Sequence, residues 1–102
     1  MLALRFHSPG DVRLEDIPEP VCGADEVKIR VRNCSTCGTD VKIRANGHVN
    51  ITRVTTMGHE IAGEVVDSAG PLPAGVSIGD QVCVYPLVPC GECVACRKNH
   101  PN

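Results

Sequence analysis

Residues 26–32 alternate without a break: Val27, Ile29 and Val31 share one face, and Glu26, Lys28, Arg30 and Arg32 the other. A period of two over this length predicts a strand with one wet side. Residues 2–6 alternate too, with Leu2, Leu4 and Phe6 together. Pro9-Gly10-Asp11 turns the chain, and residues 12–16 read as the hairpin partner. Ile17-Pro18-Glu19-Pro20 is a stiff connector that no central strand accepts. Residues 60–68 predict another strand, with Gly63 inside it as a bend or bulge. Residues 69–74 form a loop, and Ile78-Gly79-Asp80 turns into a short strand at 81–85. Only residues 39–45 look helical, with Gly38 or Thr39 near the cap and Gly47 past the end. Beyond Pro86 no apolar period remains.

The expected fold is mostly β: five or six short strands with one short helix, closing as a partly open antiparallel barrel or sandwich. A parallel α/β architecture needs alternating helices of about 10–15 residues, and none are predicted. Composition agrees. Fourteen Val and six Ile dominate the apolar set, Phe6 and Tyr85 are the only aromatics, and there is no Trp. Such a core is built from β-branched side chains, which suit a pleated surface.

Charge and hydropathy exclude several functions. The formal net charge is −2, which does not fit a strongly basic nucleic-acid binder. No apolar run approaches the ~18 residues that span a bilayer. The N-terminal MLALRFHSPG has neither the apolar core nor the cleavage pattern of a secretory signal. A cytoplasmic protein without membrane or nucleic-acid partners is expected. No G-x-G occurs, so the 102 residues carry no fingerprint of a dinucleotide or P-loop site. Asn33-Cys-Ser35 and Asn50-Ile-Thr52 fit the glycosylation pattern by chance in such a protein.

Cysteine changes the picture. There are seven, at 22, 34, 37, 83, 90, 93 and 96. An odd number without a secretory signal argues against a disulfide framework and for metal binding or reactivity. Cys90-Gly-Glu-Cys93-Val-Ala-Cys96 overlaps two C-x-x-C units, a spacing that wraps thiolates around one zinc ion. Gly91 permits the turn. A structural zinc takes four ligands; His100 is one candidate for the fourth, and a residue past Asn102 is another. The competing reading is a redox pair or idle thiols. Cys83 faces away from Val82 and Val84 and is expected as a buried thiol.

A second cluster is split in sequence. Cys34-Ser-Thr-Cys37-Gly-Thr-Asp40 precedes the short helix, and Met57-Gly58-His59-Glu60 precedes a strand. Each half is weak alone. Together they offer a thiolate, an imidazole and a carboxylate, a donor set for a catalytic zinc with one position open. Asp40 can accept a proton from the far nitrogen of His59 and fix its tautomer. Thr39 offers a hydroxyl able to pass a proton.

With CGTD at 37–40, GHE-x-x-G at 58–63, IGDQV at 78–82 and the cysteine loop at 90–96, in that order, the chain resembles the zinc-dependent medium-chain alcohol dehydrogenases. The likeness is strongest to their polyol and threonine dehydrogenase-like branch and covers the N-terminal catalytic domain. It implies a GroES-like barrel over 1–102, ending in a structural-zinc loop at 86–102. It implies Cys37 and His59 as ligands of a catalytic zinc, with Glu60 the neighbouring carboxylate able to approach the metal. Thr39 would bond the substrate oxygen and start the proton relay, with Asp40 behind His59. Cys90, Cys93 and Cys96 would be three of four structural-zinc ligands.

The departures from the family pattern are specific. The fourth structural cysteine would fall two residues past Asn102, and the remaining catalytic ligand later still. The cofactor-binding domain with its G-x-G-x-x-G lies outside this sequence, so the chain is expected to be a truncated piece. Lys42 stands where many relatives have a relay histidine, and Thr55-Thr56 replaces a proline-containing approach to GHE.

The implied reaction is oxidation of a primary or secondary alcohol, with hydride passing to NAD or NADP in the full-length enzyme. The partners are then a small-molecule alcohol and the missing cofactor domain. Uncovered sheet edges leave room for a homo-oligomer. The isolated chain is expected to lack turnover. A stand-alone zinc module remains the alternative; it would leave CGTD and GHE unused. A thiol redox protein built on Cys37 at a helix N-terminus is the third reading.

Overall fold

The computed structural model describes residues 1–100. The predicted N-terminal hairpin forms from β1 (Leu2–Ser8) and β2 (Asp11–Asp16), with Leu4 opposite Leu14. Gly10 makes its turn at φ 79°. A short strand that the sequence did not signal, β4 (Thr55–Thr56), joins the other side of β1 and gives the order β2-β1-β4. The second sheet runs β3 (Val27–Ser35), β5 (Glu60–Ser68), β6 (Gln81–Cys83), with both pairings antiparallel. The expectation of a mostly β chain with few helices holds. The sheets stay open, however, and do not close into a barrel.

β5 has the predicted bounds, and the alternating strand at 26–32 extends to Ser35 as β3. The expected irregularity at Gly63 lies on its partner. Pairing shifts between Val31 and Asn33, so the extra residue is Arg32, opposite Gly63. Gly63 is required by close approach: a Cβ there would lie 2.5 Å from the Arg30 carbonyl oxygen and 2.6 Å from Ile29 Cγ2. A second shift between Lys28 and Ile29 leaves Val66 as the extra residue on β5. On the wet face Arg32 pairs with Glu64 at 2.6 Å and Lys28 with Glu19 at 2.6 Å.

The two sheets diverge around a cavity of about 840 Å³ lined by residues of both, including Leu2, Leu4, Ile29, Val31, Ile61 and Val66. Alternation puts Leu2, Leu4 and Phe6 on one face. Phe6 is buried, but Leu2 and Leu4 stay exposed where the cleft gapes. The apolar core of the described residues is only Ala3, Phe6 and Val65. A radius of gyration of 15.6 Å, against about 13 Å for a close-packed domain of this size, records the same openness.

The expected helix is α1 (Gly38–Asn46), ended by Gly47 at φ 74°. Its cap is Cys37, directly before Gly38, and the Cys37 sulfur accepts the Thr39 N–H. The cysteine loop, expected to be irregular, contains one helical turn, α2 (Val94–Arg97), capped by Cys93. The predicted strand at 81–85 stops at Cys83, and Cys83 is exposed instead of buried. Cys83 is the last paired residue of β6, an edge strand, and stays open to solvent there. Among the described residues no helix is long and apolar enough to cross a membrane.

Candidate metal centres

The end of β3 delivers Cys37 to the start of α1. There a reciprocal cap fixes it: Cys37 N–H donates to Asp40 Oδ2 at 3.0 Å while its sulfur accepts the Thr39 N–H at 3.3 Å. Two donors at the helix terminus are thereby satisfied. Asp40 is the one buried polar side chain among the described residues. His59 arrives from the β4–β5 connection. Gly58, at φ 101°, makes this turn, and a Cβ on it would meet Cys34 Sγ at 2.6 Å. Sequence reasoning gave Cys34 no part here; the signal available was the glycine directly before the histidine.

These segments converge. His59 Nε2 lies 3.1 Å from Cys37 Sγ, and His59 Nδ1 lies 3.5 Å from Asp40 Oδ1. The ligand atoms of Cys37, Asp40 and His59 all fall within 4.8 Å of one another. The ring therefore turns one nitrogen to the sulfur and the other to the carboxylate, the orientation a neutral metal-ligating histidine needs. A sulfur and a nitrogen on one tetrahedral zinc stand about 3.6 Å apart, so opening this pair by about half an ångström admits the ion. The donor types and their directions fit zinc.

Other expected residues take outer positions. Thr39 is exposed on the first turn of α1. Lys42 is exposed on the same helix. Glu60 opens β5 opposite Ser35, is exposed, and lies outside the three-residue cluster that Asp40 completes.

The second group is local. Cys90, Cys93 and Cys96 place their sulfurs within 4.8 Å of one another, with Cys90–Cys96 at 3.8 Å and Cys93–Cys96 at 3.5 Å. Two thiolates on one tetrahedral zinc stand about 3.8 Å apart. The Cys90–Cys96 separation matches that spacing, and Cys93–Cys96 falls about 0.3 Å inside it. Gly91 at φ 76° makes the turn between the first two sulfurs. The Cys93 N–H donates to Cys90 Sγ at 3.3 Å. Backbone N–H groups of Cys93 and Glu92, with help from the neighbouring thiols, draw the Cys90 thiol down to about 7. Such donors favour the thiolate. His100 lies outside this cluster.

The alcohol dehydrogenase GroES-like domain model matches residues 23–102. The chain belongs to that family. Among relatives of this GroES-like domain, sorbitol dehydrogenase of Bombyx mori is 36% identical over 100 residues, covering 95% of this chain and 28% of its own length. L-threonine 3-dehydrogenase of Pyrococcus horikoshii is 39% identical over 102 residues, covering 96% and 29% respectively. Among solved structures, a zinc dependent alcohol dehydrogenase from Streptococcus pneumonia superposes with a TM-score of 0.80 at 28% identity, over 96% of this chain and 28% of that one. The GroES-like chain thus spans under a third of the length of the relatives it matches. Both relatives are, by name, sorbitol and threonine dehydrogenases, in line with the expected branch.

Proposed function

We propose that this chain is the zinc- and substrate-binding portion of an NAD(P)-dependent alcohol or polyol dehydrogenase. The observation that carries the reading is the meeting of Cys37 and His59, 22 residues apart in sequence, at 3.1 Å. Cys37 and His59 hold the catalytic zinc, with Glu60 near enough in sequence to approach it on rearrangement. Cys90, Cys93 and Cys96 hold a structural one. Bound at the first site, zinc supplies Lewis acidity that lowers the pKa of an alcohol hydroxyl.

The chain's own residues do the rest. Asp40 holds the Nδ1 proton of His59 and so presents Nε2 as a lone pair. Thr39 is on the solvent side of α1, where its hydroxyl accepts the alcohol proton and hands it to water. With Lys42 in place of a relay histidine, that short route to solvent replaces a longer one. A nicotinamide would supply the hydride acceptor and would be held by residues other than these 102, among which no G-x-G fingerprint occurs. The 102-residue chain alone therefore binds zinc without oxidising alcohols.

The test is zinc-dependent protection of individual thiols against iodoacetamide, mapped by mass spectrometry beside total zinc content. The reading expects about two zinc per chain, with Cys37 protected along with Cys90, Cys93 and Cys96. One zinc, with Cys37 alkylated at the same rate in the wild type and in His59→Ala, would instead favour the stand-alone module. Loss of Cys37 protection in His59→Ala is expected; its persistence would remove His59 from the site. Alcohol oxidation by the purified chain with NAD or NADP would overturn the inactivity.

A further inference from the structure

The approach to His59 runs through Thr55-Thr56, and the structure shows what restrains this segment. β4 is two residues long and pairs only with β1, through Arg5↔Thr56 and Phe6↔Thr55. The Arg5 side chain adds a fork: Nη1 donates to Thr56 Oγ1 at 2.9 Å and Nη2 to the Val54 carbonyl at 3.3 Å. The Met57 N–H donates to the Leu4 carbonyl at 2.8 Å. Gly58 then makes its turn, and His59 follows directly.

Arg5 accepts a cost in this orientation. Its Nε is buried with no hydrogen-bond partner, 4.0 Å from Glu15 Oε2, which His7 engages through its other oxygen at 2.6 Å. A guanidinium serving only the β1–β2 hairpin would bond Glu15. This one commits its terminal amines to the segment that carries His59.

We propose that Arg5 and Thr56 are positioning residues for the Cys37–His59 metal site: their fork fixes the rail from which Gly58 aims His59 at Cys37. The proposal rests on the zinc reading above. It predicts that loosening the fork weakens zinc at Cys37 and leaves zinc at Cys90, Cys93 and Cys96 untouched, because the cysteine loop is local and shares no element with β1 or β4.

The experiment titrates zinc and reads protection of each cysteine from iodoacetamide in the wild type, Thr56→Val, Thr56→Ser and Arg5→Met, with thermal unfolding in chelator run alongside. Thr56→Val is expected to need about threefold more zinc to protect Cys37 and Arg5→Met about tenfold, the range for losing one or two exposed hydrogen bonds to a charged group. Thr56→Ser keeps the acceptor and should behave as wild type. A merely structural role would not give this serine rescue together with unchanged protection at the cysteine loop. Equal Cys37 protection in all four proteins refutes the fork while sparing the zinc reading. Absence of Cys37 protection in the wild type refutes the zinc reading itself. If Arg5→Met unfolds early, the Thr56→Val and Thr56→Ser pair still decides, and a serine variant as weak as the valine one refutes the proposal.

Discussion

Asp40 does two jobs with two oxygens, and the jobs can be separated. Oδ2 accepts the Cys37 N–H at 3.0 Å and Oδ1 faces His59 Nδ1 at 3.5 Å. Asp40→Ala removes both. Asp40's share of the helix cap is its bond to the Cys37 N–H, and stranding that partly buried donor costs about 1 kcal/mol. A loss of about 1 kcal/mol in a domain of this size lowers the melting temperature by about 5 °C. Asp40→Asn keeps an amide oxygen for the Cys37 N–H, so its melting temperature should fall by less than half as much. Its NH2 now faces Nδ1, however, and cannot accept a proton. The imidazole then carries its proton on Nε2, against the sulfur, where a metal would need the lone pair. Loss of such a partner weakens metal binding about 10–100-fold. Circular dichroism melts in chelator read the first effect, and zinc protection of Cys37 from alkylation reads the second. If Asp40→Asn melts as low as Asp40→Ala, or protects Cys37 at wild-type zinc, the division of labour is wrong.

The other predictions concern glycines and one thiol. Gly63→Ala should cost about 2–4 kcal/mol by urea unfolding, since its Cβ would strike the Arg30 carbonyl, backbone that cannot step aside, at 2.5 Å; a loss under 1 kcal/mol would show the β3–β5 spacing to be looser. Gly58→Ala should cost about 1–3 kcal/mol from its positive φ alone, and adding Cys34→Ala should recover only the part due to the 2.6 Å overlap with sulfur; full recovery would deny the backbone strain. Cys90 in metal-free protein should show half-maximal alkylation near pH 7, against 9.0 for an ordinary thiol of this kind. Because the folded value is the lower one, the loop gains from ionisation above the unfolded value and loses that gain as pH falls through about 7. An alkylation midpoint above pH 8 would mean that the backbone donors are not engaged.

Strand signals were legible where a period of two met a one-sided environment. The start of β3 and the β1–β2 hairpin follow directly from alternation and from Pro9-Gly10. Reading failed where tertiary contact decides. β4 has two residues and no pattern of its own; it is a strand because Arg5 and Phe6 pair with it. The bulge moved from Gly63 to Arg32 because a missing side chain in one strand lets the facing strand take up the extra residue. Burial of Leu2 and Leu4 could not be judged from alternation, which tells which residues share a face and not whether anything covers it. α2 escaped because one helical turn carries no periodicity; its cap is a cysteine sulfur accepting from the Cys96 N–H.

The two cysteine sites differed in legibility for the reason that they should differ in behaviour. Cys90, Cys93 and Cys96 meet through local turns, so spacing alone announces them, and their geometry needs nothing beyond the loop. Cys37 and His59 meet only when the β3–α1 junction and the β4–β5 turn are both in place. Each half was weak in sequence because the information lies in the fold between them. The same dependence runs through the energetics. On the proposed reading, zinc at Cys37 would draw on the free energy that holds both sheets in place, whereas zinc at the loop would not. Under increasing urea, Cys37 should therefore lose its zinc protection along with the global transition, while the loop cysteines keep theirs beyond it. Simultaneous loss at both sites would mean that the loop, too, is held by the sheets.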